Sequence, residues 1–235
     1  MTPLGATHTH RREAPVLARL RVVVPDRTGS LGVLASAVGA LRADVVGLRV
    51  LGAEAGRATD DLLVEVRDAA HLARLEQRLA ATVGTEVEGV RAPARPADGH
   101  AELGLAAQVT ARPGHAARTL VDGAPAALDV DWAAVVRLDR HGVGVEVEAV
   151  TEPGPGGRLV LPTSPARVTP LPLPLPDGSG PCAGAALLPA GRHPVGVLLV
   201  REHGLGLHRA ELWRLGALVD LLAPALARQL LEPAA

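Results

Sequence analysis

The sequence predicts an α+β chain built from two modules, on three observations. Strand-like alternation and helix-like spacing follow one another as strand, helix, strand, strand, helix, strand over residues 16–91. RAPARPADGH at 91–100 is rich in Pro, Ala and Arg and has no periodic apolar face. A second set of helices, antiparallel strand pairs and a closing helix occupies 101–232. These divide the chain into a flexible tail at 1–15, a first module at 16–91, a linker at 92–100 and a second module at 101–232.

In the first module, Leu20, Val22 and Val24 alternate with Arg19, Arg21 and Val23, the period of a strand with one well-buried face. Pro25 to Gly29 then break the run. Leu31, Leu34, Ala35, Val38 and Leu41 follow at helical spacing. Val46, Leu48 and Val50, the turn residues GAEAG at 52–56, and Leu62, Val64 and Val66 read as a hairpin. Leu72, Leu75, Leu79 and Val83 mark a second helix closed by Gly84, and TEVEGVRA supplies the last strand. Two right-handed crossovers of this kind give a four-stranded antiparallel sheet with both helices on one face, the ferredoxin-like arrangement. The opposite face, with Arg19, Arg21, Val23, Asp61, Leu63 and Glu65, is expected to lie bare and to invite a second copy of the chain.

Composition bounds the function. The 235 residues can bury a real core, and 48% are hydrophobic. A net charge of -1 lacks the basic excess of a nucleic-acid binder. The chain has no Ile, Lys, Asn, Phe or Tyr, so all 24 basic residues are Arg. Those missing types share A+T-rich codons, which points to a high-G+C bacterium. Cores must then be filled by Leu, Val and Ala, and only Trp132 and Trp213 can stack on a flat ligand. The single cysteine, Cys182, excludes an internal disulfide and a Cys-rich zinc site and suits a reducing compartment. The N-terminus lacks the apolar core of a signal peptide, and Asp220, Pro224 and Arg228 interrupt the most apolar long segment, 215–231. A cytoplasmic protein with no membrane or nucleic-acid partner is expected. His8 and His10 read as residues of a loose polar tail, not as a metal site.

The run VVVPDRTGSLGVLASAVGALRADVVGLRV resembles the start of an ACT domain, a small regulatory module with an Asp-Arg-Pro-Gly turn between its first strand and helix. Here Thr28 stands where that family often has Pro. The resemblance implies an amino acid or similar effector bound between two copies, with Asp26, Arg27, Thr28, Gly29, Ser30 and Leu31 of one turn meeting Asp44, Val45 and Val46 of the other copy. Helix-start chemistry agrees: amides near Gly29, Ser30 and Leu31 lack intrahelical partners and can hold a carboxylate, and Asp26 can meet an ammonium group. The structural alternative is that Asp26 accepts bonds within its own turn, Ser30 is only a cap and Gly29 only supplies a positive φ. Gly29 and Gly32 do not make a nucleotide-phosphate loop.

In the second module, helical stretches are expected to break at Pro113 and Pro125. DWAAVVRLDRHGVGVEVEAV and CAGAALLPAGRHPVGVLLVREHG read as two strand pairs. Leu212, Leu215, Leu218, Val219, Leu222, Leu226 and Leu230 face inward from a closing helix kinked at Pro224. The segment PVGVLLVREHGLGLHRAELWRLGALVDLLAPAL resembles the end of a GAF domain. That implies a small-molecule pocket between the sheet and the loops at about 151–182. Purine-stacking aromatics are missing and Cys182 is followed by Ala183, so the sequence departs from nucleotide- and bilin-binding versions. The prolines of TPLPLPLPD at 169–177 suit an edge strand that blocks further pairing, the alternative being a polyproline segment read by a partner.

No catalytic motif emerges. His203 and His208 have only Glu202 and Glu211 nearby, and Asp139 and His141 share a hairpin turn. The expectation is a non-catalytic, homodimeric regulator binding an amino-acid effector and needing no cofactor. The rival is a structural dimer or scaffold without a small ligand.

Overall fold

The computed structural model describes residues 15–92, 99–138, 144–152, 154, 158–160, 168–174, 181–187, 195–202 and 204–231. The first module runs β1 (Val16–Pro25), α1 (Ser30–Ala40), β2 (Asp44–Glu54), β3 (Arg57–Val66), α2 (Ala69–Ala80) and β4 (Glu86–Arg91). Its sheet has the order β2-β3-β1-β4, antiparallel throughout, which is the predicted ferredoxin-like arrangement. Every second residue of β1 enters a core closed by Leu34 and Val38 of α1 and Leu75 and Leu79 of α2. Leu20 is wholly buried there, worth about 1.5–3 kcal/mol. Asp68 caps α2 by accepting from the His71 amide at 2.6 Å.

The hairpin is tighter than the sequence predicts. Its strands extend to Glu54 and Arg57, and only Ala55 (φ 51°) and Gly56 (φ 75°) turn the chain. Two successive positive φ angles match the twist of the paired strands, so GAEAG is mostly strand. α2 likewise ends at Ala80, and Gly84 (φ 79°) shapes the turn beyond it.

The second module runs α3 (Gly99–Ala111), a single 3-10 turn (Pro113–His115), α4 (Ala116–Leu128), β5 (Trp132–Leu138), β6 (Gly144–Val150), β7 (Arg158–Val160), β8 (Val168–Pro174), β9 (Pro181–Leu187), β10 (Val195–Arg201) and α5 (Arg209–Leu231). Its strands form one sheet in the order β7-β6-β5-β10-β9-β8, packed on one side by the three helices. The described fold is thus α+β, with antiparallel sheets and flanking helices. β8, which carries Pro170, Pro172 and Pro174, is the edge strand that its prolines suggested; Pro176 lies outside the described residues.

Pro113 separates α3 from α4, but Pro125 does not break α4. A proline at 125 leaves the carbonyl four residues earlier without its helical donor. Thr151 fills that role, its hydroxyl donating to the Val121 carbonyl at 2.6 Å. No helix among the described residues is long and apolar enough to cross a membrane.

The largest departure from expectation concerns the sheet face predicted to be bare. Arg19, Arg21 and Asp61 are 4%, 4% and 6% exposed. The second module of the same chain covers them, and the start of α5 supplies the counter-charge. A second copy is not needed to explain that face.

Candidate functional site

Two places gather functional groups: the turn after β1 and the junction between the modules. At the turn, the Arg27 amide donates to the Pro25 carbonyl at 2.9 Å and the Asp26 amide to the Gly56 carbonyl at 2.9 Å, anchoring the loop to the hairpin. Gly29 stands at the N-cap of α1 with φ 93° and ψ -12° and has no side chain with which to cap the helix. That φ is what requires glycine; a Cβ there would meet nothing within 4 Å. The Ser30 hydroxyl donates to the Pro25 carbonyl at 2.7 Å, pinning the helix start to the strand end.

These contacts leave part of the helix N-terminus open. The Ser30 amide is taken by the Arg27 carbonyl at 3.3 Å, contrary to the expectation that it would be free. Among the described residues, the amides of Gly29, Leu31 and Gly32 have no hydrogen-bond acceptor. No acidic side chain occupies the first turn to compete for an anion. A cavity of about 350 Å³ opens here, with Arg27, Thr28, Gly29 and Ser30 on one wall and Val83 and Thr85 on the other. Gly84 makes the second wall possible, since a Cβ at that position would lie 3.0 Å from Pro25 Cγ.

The remaining predicted residues are not gathered at this cavity. Asp26 is exposed and does not line it, and Leu31 is 40% exposed on α1. Asp44, Val45 and Val46 are exposed at the start of β2, and Val46 lines a different hollow. One chain therefore brings together four of the nine residues. The β2 segment meets a turn only if a second copy provides it.

The junction was not foreseen. Arg21 grips Asp61 through two bonds, Nε to Oδ1 at 2.8 Å and Nη2 to Oδ2 at 3.1 Å, and reaches Glu211 Oε2 at 2.8 Å. Arg201 meets the same Glu211 at 2.9 and 3.2 Å and donates through Nε to the Asp129 carbonyl at 2.8 Å. Arg19 lies 2.7 Å from Asp129, and Arg91 reaches Asp131 at 2.8 and 3.1 Å. Four arginines face four carboxylates, so the charges balance, and all but the half-buried Asp131 are almost wholly out of water. Burial alone would raise the Glu211 carboxyl, but Arg201, the His208 amide and Arg21 outweigh it and hold it down to about 2.

Backbone fit completes the docking. Gly204 has φ 81°, and a Cβ there would fall 2.6 Å from the Val90 carbonyl oxygen. Leu205, 3% exposed, fills the space left by Gly89, where a Cβ would come within 3.0 Å of it. The sequence carried one signal for this junction: two arginines at alternate positions of an otherwise apolar strand, beside an aspartate on the neighbouring strand.

Other candidates yield little chemistry. The His208 ring accepts from the Ala210 amide at 3.2 Å, and burial lowers its pKa, as does Arg21. Trp132 is buried with its indole N–H on Glu202 at 3.2 Å, leaving Trp213, 79% exposed, as the accessible aromatic. Among the described residues no group of three His, Cys, Asp or Glu could hold a metal. His8, His10, Asp139, His141, His203 and most of the loop at 151–182 lie outside the described residues.

No family model matches the chain. No curated protein matches it either. Solved structures similar to parts of it include the ACT domain of a GTP pyrophosphokinase from Chlorobium tepidum, at 20% identity and a TM-score of 0.29, covering 34% of this chain and 99% of that one. The GAF domain of an Acinetobacter phosphoenolpyruvate-protein phosphotransferase is 12% identical with a TM-score of 0.42, covering 55% of this chain and 92% of that one. A free methionine-R-sulfoxide reductase from Neisseria meningitidis, solved with its substrate, is 13% identical with a TM-score of 0.45, covering 57% and 95%. ACT and GAF folds, the two resemblances of the sequence, are thus among its structural neighbours.

Proposed function

We propose that this chain is a non-catalytic regulatory or sensory protein that binds a small effector, an amino acid, at the turn after β1 within a homodimer. Occupancy of the turn is coupled to the GAF-like module. The observation that carries the proposal is a continuous path. The cavity with unpaired amides sits at the end of β1, and the same strand holds Arg21 in the buried ion pairs of α5. Four strand steps separate Pro25 from Arg21, about 13 Å. The effector's carboxylate rests on the unpaired amides at the start of α1, that of Gly29 in the cavity wall and that of Leu31 beside it, and its binding favours whichever arrangement of the modules suits the occupied turn.

The edge strand β2 supports the dimer. Val45, Leu48 and Val50 are 36%, 47% and 59% exposed on its helix side, an uncovered apolar row that a second copy would bury. The same row supports the second reading, a dimeric scaffold with no small ligand.

Calorimetric titration of the full chain with each of the twenty amino acids tests the proposal. Saturable heat with at least one is expected. Leu31→Pro, a substitution tolerated in a first helical turn, deletes one free amide and should weaken that binding about tenfold. Heatless titrations at millimolar ligand from a chain that sediments as a dimer favour the scaffold. Turnover of free methionine sulfoxide with dithiothreitol would overturn the non-catalytic reading.

A further inference from the structure

The junction contains a second feature, independent of the turn. On the face of the first sheet that meets the second module, Arg49, Asp61 and Arg21 stand in one cross-strand row. Asp61 has a cation on each side, and Arg21 takes both of its oxygens. Arg49 is left half-buried, with no hydrogen bond or ion pair to any described residue. In the next row Gly47 lies opposite Leu63 and presents no side chain. A hollow of about 240 Å³ opens over it, with Leu63 and Val46 as apolar lining and Arg49 and Arg19 as its cations.

The second module adds an unsatisfied donor nearby. Arg214 of α5 bonds Glu102 at 3.2 Å, yet its Nε is buried without a partner. Arg214 lies within electrostatic range of Arg49: burial lowers the Arg49 pKa, and Arg214 lowers it further against the opposing pull of Glu102, Glu211 and Asp61. Folding thus brings two guanidinium groups together with donor capacity unspent, an arrangement that an added anion would relieve.

We propose that this hollow binds a small aliphatic carboxylate, its charge on Arg49 and its alkyl chain over Gly47 against Leu63 and Val46. The ligand class carries no amine. The one carboxylate lining the hollow, Asp61, is already satisfied by Arg21 and offers nothing to an ammonium group. A branched chain of four to five carbons matches the apolar lining, and the volume accommodates it.

Titration of the full chain with isovalerate tests this, with isovaleramide and leucine as comparisons. Isovalerate should bind saturably in the millimolar range. Isovaleramide, equal in shape and uncharged, should bind at least about tenfold more weakly. Arg49→Gln should weaken isovalerate by a similar factor. Gly47→Leu should abolish binding by filling the hollow; the chain accommodates the change because a Cβ there lies 3.4 Å from Leu63 Cβ, an ordinary contact. Neither variant should alter leucine binding at the turn, so failure here and failure of the amino-acid proposal are separable. Absence of saturable isovalerate binding, equal affinity for isovaleramide, or binding that survives both variants would overturn the assignment.

Discussion

Leu20 and Arg21 are neighbours in β1 and both lie almost wholly out of water, yet they are buried by opposite means. Leu20 enters a core of Leu, Val and Ala under two helices, where contact is non-directional. Arg21 enters a junction where Asp61 takes two bonds from its guanidinium and Glu211 and the Gly206 carbonyl one each, at defined distances. An apolar face can be closed by many shapes. A charged one is closed only by a surface that returns every charge, which suits a junction that must keep one register between two modules.

Breaking the charged side should produce the largest effect. Glu211→Gln leaves Arg21 and Arg201 in the dry junction with one anion fewer, and should destabilise the chain by about 3–5 kcal/mol in urea unfolding. The same variant changes the acid profile. Because the folded state holds Glu211 down to about 2, its contribution is fully present above the ordinary value of 4.5 and is lost as pH falls between the two. Thermal melts of the wild type should decline across that window, and those of Glu211→Gln should decline less. An identical decline in both would show that Glu211 does not hold the junction.

The apolar side should respond more mildly and without pH dependence. Leu20→Ala leaves a cavity under α1 and α2 costing about 3 kcal/mol. Its acid profile should parallel the wild type, since no titrating group is touched. A steeper profile would mean that the two faces of β1 are not energetically separate.

The same contrast explains what could be read from the chain beforehand. Leu20, Leu34, Leu75 and Leu79 announce their core by spacing alone, because strand and helix periods place them on one side. The prolines of β8 likewise mark a sheet edge through their missing amide hydrogens. Arg19 and Arg21 read as part of a bare face awaiting a second copy, since period-2 alternation cannot tell which surface will cover a strand. Their partners Asp129 and Glu211 lie more than a hundred residues along the chain, in segments whose own patterns give no hint of pairing. Pro125 misled for a related reason: its rescue by Thr151 is tertiary. At the turn, Gly29 and Ser30 were legible from local backbone chemistry, whereas the place of Asp44 and Val45 depends on a second chain.

The smallest expected effect comes from one carboxylate on the apolar side, where the two modes of burial collide. Asp60 is 1% exposed on the helix-covered face, opposite Val22 and Val50, and its Oδ1 has no hydrogen-bond partner. Burial raises its pKa, and the nearby charges of Asp61 and Asp26 raise it further. The folded state therefore favours the protonated acid more than the unfolded chain does. The stability this confers is complete below the ordinary value of 3.8 and is lost as pH rises through the elevated one. Asp60→Asn has no proton to lose and should gain on the order of 1 kcal/mol at neutral pH. That advantage should vanish in acid, where the wild type is itself neutral at this position. A gain of equal size at both pH values would trace to packing, and a loss at neutral pH would mean that the carboxylate has a partner which the amide cannot replace.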